Sequence, residues 1–273
     1  MSSVAQTFGG SVVLFLSACL TAGGAEPRAE PAPWVTHPFN GKNLDGWKAN
    51  PSKNGENLWR VGKAEVDPND PKRLVVKEDG SDLVNVGVGQ DLLTEARYGD
   101  CRIEIEVMVP KGSNSGIYVM GKHEVQVLDG LNERAYPKGN MGAIYGVRGP
   151  SYFPAAWLDR DWRDKECIAW LKSDEYAKCV AKVLKQPGEW QKFVIEFQLG
   201  KSDPTTKQTT PARFVRVELN GVLIHDNFEM ERGARSPGPL YLQGNHGPVA
   251  YRNIKITPLG SDKKEPTPGE TKP

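Results

Sequence analysis

Three polar residues whose spacing could support chemistry lie in the stretch "NSGIYVMGKHEVQVLDG", residues 114–130. Glu124, Gln126 and Asp129 stand in or beside a run of valines, where a carboxylate or an amide without a partner is costly. Side chains alternate across a β-strand, so Glu124 and Gln126 share one face. Asp129 falls on the opposite face unless a β-bulge between Gln126 and Asp129 brings it back. We therefore predict a bulge that lets all three groups line one face of a sheet.

Two carboxylates on one sheet face could cleave a glycosidic bond. The E-x-Q-x-x-D spacing is similar to the E-x-D-x-x-E strand of laminarinase-type glucanases, which are jelly rolls and use the outer two carboxylates as nucleophile and acid/base. Here Gln126 replaces the central acid, and Asp129 is one methylene shorter than a glutamate. A retaining pair needs carboxyl groups about 5–5.5 Å apart. The alternative is a strand with solvent-facing Glu124 and Gln126 that ends in a turn-forming Asp-Gly pair.

Other residues could complete a sugar site. His246 lies in the glycine-rich segment "QGNHGP" between two predicted strands, and it is our candidate acid because histidine is the residue type suited to proton transfer near neutral pH. The candidate substrate-binding residues offer amides, aromatic rings and one guanidinium: Gln126, Tyr145, Gln243, Arg252, Asn114 and Tyr118. Arg252 could also pair with Glu124 or Asp129, or face solvent. Asn114 could instead serve only as a turn residue.

The elements that must position these residues are short strands separated by turn signals. "RIEIEVMV" alternates charged Arg102, Glu104 and Glu106 with apolar side chains, and "RFVRVELNGVLIHD" predicts a hairpin with a type I′ turn at Asn220-Gly221. The chain has 29 glycines and 21 prolines, which favours a loop-rich β protein over a helix bundle. We predict an all-β fold, a two-sheet antiparallel jelly-roll sandwich.

One region lacks this succession of short alternating strands. Residues 152–186 show no period-2 alternation and are predicted to form a long inserted loop, whose tail could form a short helix with Cys179, Val183 and Leu184 as its apolar residues. Cys167 and Cys179 both lie here, and in an exported protein they could form a disulfide worth roughly 3 kcal/mol. Cys101 is predicted to be a small buried apolar residue.

The two ends of the chain suggest export. "SVVLFLSACL" followed by small residues predicts a signal peptide over 1–25, and "LSAC" resembles the bacterial lipoprotein processing box, which predicts a lipid anchor at Cys19. A flexible tether over 26–36 and a disordered tail over 261–273 complete the prediction. The protein is then periplasmic, an outer-membrane lipoprotein or secreted. The alternative is a buried N-terminal helix or strand.

Charge and hydropathy exclude two classes of partner. The net charge is +1, from 35 basic and 34 acidic residues, which gives no electrostatic footprint for a nucleic acid. The sequence contains no run of 18 or more apolar residues, so no transmembrane span is predicted.

Seven motifs, in order from Phe39 to Leu259, together resemble the 3-keto-disaccharide hydrolase domain family. They are "FNGKNLDGW", "DLLTEARYGDCRIEIEV", "NSGIYVMGKHEVQVLD", "GAIYG", "PGEWQKFVIEF", "VELNGVLIHD" and "GPLYLQGNHGPVAYRNIKITPL". The resemblance implies a concanavalin A-like jelly roll, here over residues 37–260, and cleavage of 3-keto-glycosides. Members often carry Arg where this chain has Met120, and that departure bears on substrate contacts rather than on the fold.

This resemblance suggests a mechanism as a hypothesis. A ketone at C3 acidifies the proton at C2, so Glu124 could act as base, the glycosidic oxygen could leave by elimination with His246 as acid, and water could then add. A divalent metal ion could polarise the ketone, with Asp129 and His246 as ligands, although no metal motif is visible. The competing route is ordinary glycosidase chemistry with Glu124 and Asp129. Two other classes stay open: a carbohydrate-binding module using Gln243, Tyr145 and Arg252 without turnover, and a structural surface lipoprotein.

Overall fold

The computed structural model describes residues 36–50, 55–160 and 163–259. These ranges fall within one structural unit of the chain, 31–273. The predicted leader over 1–25, nearly all of the predicted tether and the predicted tail lie outside the described residues. In the described ranges, no helix has the length and apolar character needed to cross a membrane.

The described residues are organised mainly as strands. The strands are β1 (Trp47–Ala49), β2 (Trp59–Asp67), β3 (Asp70–Asn85), β4 (Leu92–Thr94), β5 (Cys101–Met108), β6 (Asn114–Val119), β7 (His123–Leu128), β8 (Gln191–Gln198), β9 (Lys201–Ser202), β10 (Thr209–Thr210), β11 (Ala212–Leu219), β12 (Val222–Met230), β13 (Tyr241–Leu242) and β14 (Val249–Pro258). The helices are α1 (Lys165–Leu171) and α2 (Asp174–Ala181), with 3-10 turns at Pro137–Gly139 and Ala155–Trp157.

These strands form the two-sheet antiparallel sandwich predicted from the sequence. One sheet has five strands in the order β1-β4-β13-β6-β7, and the other has seven in the order β12-β11-β8-β5-β14-β3-β2. Strands β9 and β10 form a separate two-stranded ribbon. The inward side chains of both sheets, such as Ile105 of β5 and Ile117 of β6, belong to one hydrophobic core. Burying this apolar surface supplies the main favourable term in folding.

The local patterns that predicted these strands are present in the structure. In β5, Ile103, Ile105 and Val107 are buried, whereas the charged residues between them are partly exposed. Strands β11 and β12 form the predicted hairpin, and Asn220 and Gly221 have φ values of 53° and 82°. A type I′ turn requires positive φ at both central residues, so the Asn-Gly prediction is confirmed.

The region over 152–186 contains α1 and α2 rather than only a loop. The predicted short helix is present around Cys179 as α2, but it ends at Ala181, before Val183 and Leu184, and α1 was not predicted. Helix α1 begins after Asp164, whose carboxylate accepts hydrogen bonds from the backbone N–H groups of Glu166 and Cys167 at 2.9 and 3.2 Å. Ser173 caps α2 in the same way.

The predicted disulfide was wrong, because Cys179 carries a free thiol in the structure. Cys167 lies on α1 and Cys179 on α2, and both side chains are buried by the packing of the insertion. Such cysteines act as small apolar residues. The same is true of Cys101, which is 2% exposed and confirms the prediction for that residue.

Candidate functional site

The hairpin of β6 and β7 places the predicted polar residues. Tyr118 pairs with Glu124, Gly116 with Gln126, and Asn114 with Leu128, without a register shift along the pair. Val125 and Val127 point into the core, so Glu124 and Gln126 face outward on the five-stranded sheet. The prediction that these two residues share one face is therefore confirmed.

Asp129 does not join them. The predicted bulge was wrong, because the regular pairing continues to Leu128. Asp129 Oδ2 accepts hydrogen bonds from Gly112 N and Asn132 Nδ2 at 2.9 and 2.7 Å, and Oδ1 accepts from Asn132 N at 3.2 Å. Five residues of extended chain separate Asp129 from Glu124 by about 17 Å, at about 3.3 Å per residue. Asp129 thus stabilises the turn after β7, and a retaining pair with Glu124 was a wrong prediction.

The carboxylate of Glu124 is held by its neighbours. Tyr118 Oη donates a hydrogen bond to Glu124 Oε2 at 2.9 Å, and Gln243 Nε2 donates to Tyr118 Oη at 3.2 Å. Burial, and then the charge of Glu124, raise the pKa of Tyr118, so its phenol stays protonated and remains a donor. A Cβ at Gly116 would overlap Glu124 Oε1, so this strand position must be glycine for the carboxylate to lie where it does.

A second tyrosine and carboxylate continue this network. The ring of Tyr241 stacks on the ring of Tyr118, with centroids 4.4 Å apart and planes at 17°. Tyr241 Oη donates a hydrogen bond to Asp91 Oδ2, and burial followed by this bond raises the pKa of Tyr241. Asp91 is fully buried, and its Oδ1 accepts from Gly244 N and Asn245 N at 2.9 and 3.2 Å.

The sequence analysis missed both Tyr241 and Asp91. A signal for Tyr241 was available, since it lies two residues before Gln243 and so shares a strand face with it. Asp91 had no local signal, because its partner Tyr241 is 150 residues away along the chain.

A cavity of about 330 Å³ opens beside this network. Its lining comes from the outer face of β6 and β7 and from the segments that follow: Gly112, Asn114, Gln126, Leu128, Glu133, Ala135, Tyr136, Gly139 and Tyr145. The structure thus brings together Asn114, Gln126 and Tyr145, three of the predicted substrate-binding residues. Tyr145 is 48% exposed, and its backbone N–H donates to Glu124 O at 3.0 Å. Its ring therefore stands at the rim of the cavity, adjacent in the sheet to Glu124.

Gln126 is the most buried polar residue of this lining. Its side chain is held at one end only, because Oε1 accepts a hydrogen bond from Val127 N at 3.0 Å. Nε2 makes no hydrogen bond to another described residue, and Gln126 is 3% exposed. Buried polar groups normally find a partner. An amide donor in this position suits a ligand hydroxyl.

The insertion holds the far side of the cavity, which we call the cavity wall and define as residues 130–141. Asn140 is buried, and its Nδ2 donates to Ala135 O and to Tyr176 Oη, both at 2.8 Å. Tyr176, on α2, donates in turn to Gly130 O at 2.9 Å. Burial raises the pKa of Tyr176 to about 12, so the phenol remains a donor. The shape of the wall therefore depends on side chains of the insertion.

His246 lies near this face but outside the hydrogen-bond network. It is exposed in the loop between β13 and β14, and its Nδ1 faces Asn245 Oδ1 at 2.5 Å. A Cβ at Gly247 would overlap Ser113 Oγ, which places this loop over the start of β6. His246 is thus on the same side of the sheet end as Asn114, and its role as acid stays a prediction.

Arg252 lies elsewhere, on the outer face of the seven-stranded sheet. Its Nε donates a hydrogen bond to Glu106 Oε2 at 2.8 Å. The predicted pairing with Glu124 or Asp129 was wrong, because β14 lies between β3 and β5 and not in the sheet that carries Glu124. Arg252 therefore does not belong to the candidate site.

The suggested metal ligands do not form a ligand set. Asp129 uses both carboxylate oxygens for hydrogen bonds to the loops beside it. Across residues 36–50, 55–160 and 163–259, no group of three or more His, Cys, Asp or Glu side chains could hold a metal ion. No step of the chemistry below is assigned to a metal.

The fold and this site define a jelly-roll protein of the carbohydrate-active, glycosyl-hydrolase-like class. More specifically, the chain belongs to the family described as the 3-keto-alpha-glucoside-1,2-lyase-like domain, which matches residues 34–257. The resemblance found in the sequence motifs is therefore confirmed.

Solved structures show the same fold. A protein from Parabacteroides distasonis ATCC 8503, provisionally named a glycosyl hydrolase, is 22% identical with a TM-score of 0.54, over 82% of this chain and 84% of that chain. Another from the same organism, with the same provisional name, is 18% identical with a TM-score of 0.53, over 83% and 94%. At these identities the likeness concerns the fold alone. No curated protein matches the chain.

Proposed function

We propose that this protein cleaves 3-keto-glycosides at the outer face of the five-stranded sheet, by elimination and then addition of water, with Glu124 as the base. The observation that carries the proposal is the position of Glu124, which is oriented by Tyr118 over Gly116 and lies beside a cavity lined by polar groups. The description of the family as lyase-like supports elimination as the first step.

The chemistry needs one well-placed base. Glu124 takes the proton from C2, and the electrons of that C–H bond form an enolate with the C3 ketone. The enolate then re-forms the ketone and makes a C1=C2 double bond, and the glycosidic oxygen leaves C1 with its bonding electrons and takes up a proton. Addition of water to this double bond, with a proton returning to C2, gives the free 3-keto sugar. General base catalysis of this kind contributes typically about 10²–10⁴-fold.

The cavity residues have matching roles in the proposal. Gln126 Nε2 and the Asn114 side chain bind hydroxyl groups, and the ring of Tyr145 covers a sugar face at the rim. Gln243 and Tyr118 orient Glu124. His246 supplies the proton to the leaving oxygen from the loop over the start of β6. A cavity of about 330 Å³ is at the small end of ligand sites and suits one sugar ring.

The experiment compares a chromogenic 3-keto-glucoside with the same glucoside before oxidation. We expect cleavage of the keto compound only. In D₂O, the cleaved sugar should carry deuterium at C2, because that carbon loses and regains a proton. The Glu124→Gln variant should lose at least about 100-fold in kcat/KM. Glu104→Gln, a matched change on the outer face of β5, should keep full activity.

Two results would remove this proposal. Cleavage of the unoxidised glucoside alone would indicate ordinary glycosidase chemistry. Full activity in Glu124→Gln would show that another residue is the base.

A second function, carbohydrate binding without turnover, is favoured by one observation. Asp129, the predicted second carboxylate of a glycosidase pair, is bound to the loop by Gly112 N and Asn132 Nδ2 instead of lying beside Glu124. Saturation-transfer NMR with keto and unoxidised glucosides would show binding to the Tyr145 rim, with no product after long incubation.

The proposed substrate would be met outside the cytoplasm. We include export through the leader over 1–25 in the proposal, with a lipid at Cys19. Fractionation of the producing cells and labelling with a radioactive fatty acid test it. A protein that stays in the cytoplasm with its leader intact would contradict export.

A further inference from the structure

A second cavity, of about 540 Å³, lies at the opposite sheet from the candidate site. Strand β14 pairs with β3 only through Val249–Tyr251, and further along Thr36 pairs with Ile256 instead. The cavity lies where β14 exchanges one neighbour for the other. Its lining is polar, with an apolar contribution from Phe39 and Ile254: His37, Phe39, Asn40, Gly41, Lys42, Ser81, Asp82, Arg252, Asn253 and Ile254.

A β-bulge in β14 arranges two neighbouring side chains at this cavity. The register against β5 shifts between Arg252 and Lys255, and Asn253 has a φ of 51°. A bulge places consecutive side chains on one face of a sheet. Arg252 and Asn253 consequently both reach Glu106, with Arg252 Nε donating to Oε2 at 2.8 Å and Asn253 Nδ2 donating to Oε1 at 2.9 Å.

The guanidinium of Arg252 is held in place by its neighbours but keeps nitrogens that could bind a ligand. Besides the bond to Glu106, its Cζ lies 4.1 Å from the centroid of the Trp190 ring, a cation–π contact. Its Nη1 and Nη2 make no hydrogen bond to any described residue, and its side chain is 37% exposed. A fixed guanidinium with two unused nitrogens is a ready partner for a planar carboxylate.

The remaining charges around the cavity favour an anion. Lys42 and His37 are exposed and make no hydrogen bond or ion pair with another described residue through their side chains. Asp82 is the one carboxylate among the lining residues, and it is 8% exposed with Oδ2 accepting from Ala64 N at 2.9 Å. The ammonium group of Lys42 is thus exposed at the cavity, while the carboxylate of Asp82 is directed into the protein.

We propose that this cavity is a second ligand site that binds a carboxylate-bearing sugar, with Arg252 as the anchor for the carboxylate. Lys42 adds positive charge, His37 offers a ring N–H, Asn253 lies beside the anchor, and Phe39 offers an apolar surface to the sugar ring. The site is separate from Glu124 and does not depend on the function proposed above. Its volume fits one or two sugar units.

The test is calorimetric titration of the full chain with methyl glucuronide, with methyl glucoside as the neutral match and with inorganic phosphate. We expect binding of the glucuronide, at least tenfold weaker binding of the glucoside, and binding of phosphate that is weaker than that of the glucuronide because phosphate lacks the sugar ring. Arg252→Gln should weaken glucuronide binding at least tenfold. Glu124→Gln should leave it unchanged, which separates this site from the first.

Arg252→Gln removes a partner of Glu106 and could unfold the protein, so Lys42→Gln is the second variant. Lys42 is exposed and its side chain makes no hydrogen bond or ion pair with another described residue, so its loss should weaken glucuronide binding several-fold with no change in melting temperature. Equal binding of glucoside and glucuronide, tighter binding of phosphate, or unchanged affinity in both variants would each overturn the proposal.

Discussion

Two glutamates, one on each sheet, show how the same residue in the same strand pattern acquires different chemistry. Glu106 on β5 and Glu124 on β7 both face outward and both precede a valine that points into the core. Burial opposes ionisation of Glu106, yet hydrogen bonds from Asn253 and Arg252 hold its pKa below the ordinary value. Glu124 instead accepts from the neutral phenol of Tyr118. The neighbouring strand therefore decides whether a glutamate is fixed as an anion or held beside a ligand cavity.

The largest effect should come from exchanging each glutamate for glutamine. Glu124→Gln should lower kcat/KM at least about 100-fold, because it removes the proposed base. Glu106→Gln should keep activity but lose about 1–3 kcal/mol of unfolding free energy, because Arg252 and Asn253 lose a charged acceptor. Steady-state kinetics and urea unfolding of both variants measure the two effects. If Glu106→Gln lost activity while its stability held, the two glutamates would not differ as described.

A pH experiment compares the two sheets directly, since each contains a buried histidine. Burial lowers the pKa of His123 on β7 and of His225 on β12 to about 4. The unfolded chain binds these protons near pH 6.5, so the unfolded state holds more protons between about pH 6.5 and 4. Stability should be complete above this window and fall by about 1.4 kcal/mol per pH unit for each histidine as the pH is lowered through it.

The matched variants are His123→Gln and His225→Gln, in which the glutamine can keep the bond to Ala234 N or to Gly142 O. Each variant should reduce the slope of the unfolding free energy against pH by the contribution of one histidine, about 1.4 kcal/mol per pH unit. Urea titrations at half-unit pH steps measure it. A slope that stays the same in both variants would assign the acid sensitivity to carboxylates instead.

A smaller effect should follow from removing the donor that orients Glu124. Tyr118→Phe should lower kcat by about tenfold to a hundredfold with little change in KM, because the base stays but loses the hydrogen bond that orients it. Tyr241→Phe should cost less, since the Tyr241 hydroxyl donates to Asp91 and its ring stacks on Tyr118, whereas Tyr118 itself donates to Glu124. A larger loss of kcat in Tyr241→Phe than in Tyr118→Phe would show that Tyr118 is not the main residue that orients Glu124.

The smallest expected effect on activity concerns the cavity wall. Tyr176→Phe removes the hydroxyl that donates to Gly130 O and leaves Asn140 Nδ2 with Ala135 O as its acceptor, and it should lower the unfolding free energy by about 1–3 kcal/mol. KM should rise several-fold with kcat nearly unchanged, since the wall contacts ligand and not the reacting atoms. Tyr98→Phe is the control. Tyr98 is buried and its backbone pairs with Gly238, outside the cavity lining, so this variant should lose stability without a change in KM.

The sequence predicts the fold well because its signals are local. Alternation identifies β5, and Asn220-Gly221 identifies the hairpin of β11 and β12. The same alternation places Glu124 and Gln126 on one face. These features depend on φ preferences and on the period of a strand, both of which operate over a few residues.

The sequence predicts the site less well because its contacts are distant along the chain. The predicted bulge would have brought Asp129 to the same sheet face as Glu124 and Gln126. The Asp129 carboxylate instead accepts hydrogen bonds from Gly112 and Asn132 in the nearby loops. Arg252 was a candidate for the same sugar site, with pairing to Glu124 or Asp129 as one alternative, although β14 and β7 lie in different sheets. Membership of a sheet depends on pairing between remote strands, which no short pattern reveals.

The cavity wall has a consequence for how such proteins diversify. Its shape is set by Asn140 and by Tyr176 of the insertion, and neither residue lies in a strand of the two sheets. Glu124 and Tyr118 are encoded in the sandwich, whereas the outline of the cavity depends on residues 130–141 and on the insertion that supports them. Replacing residues 152–186 with a different insertion should therefore change the shape of the cavity wall, and with it the ligand that fits, while Glu124 and Tyr118 keep their positions in the sheet.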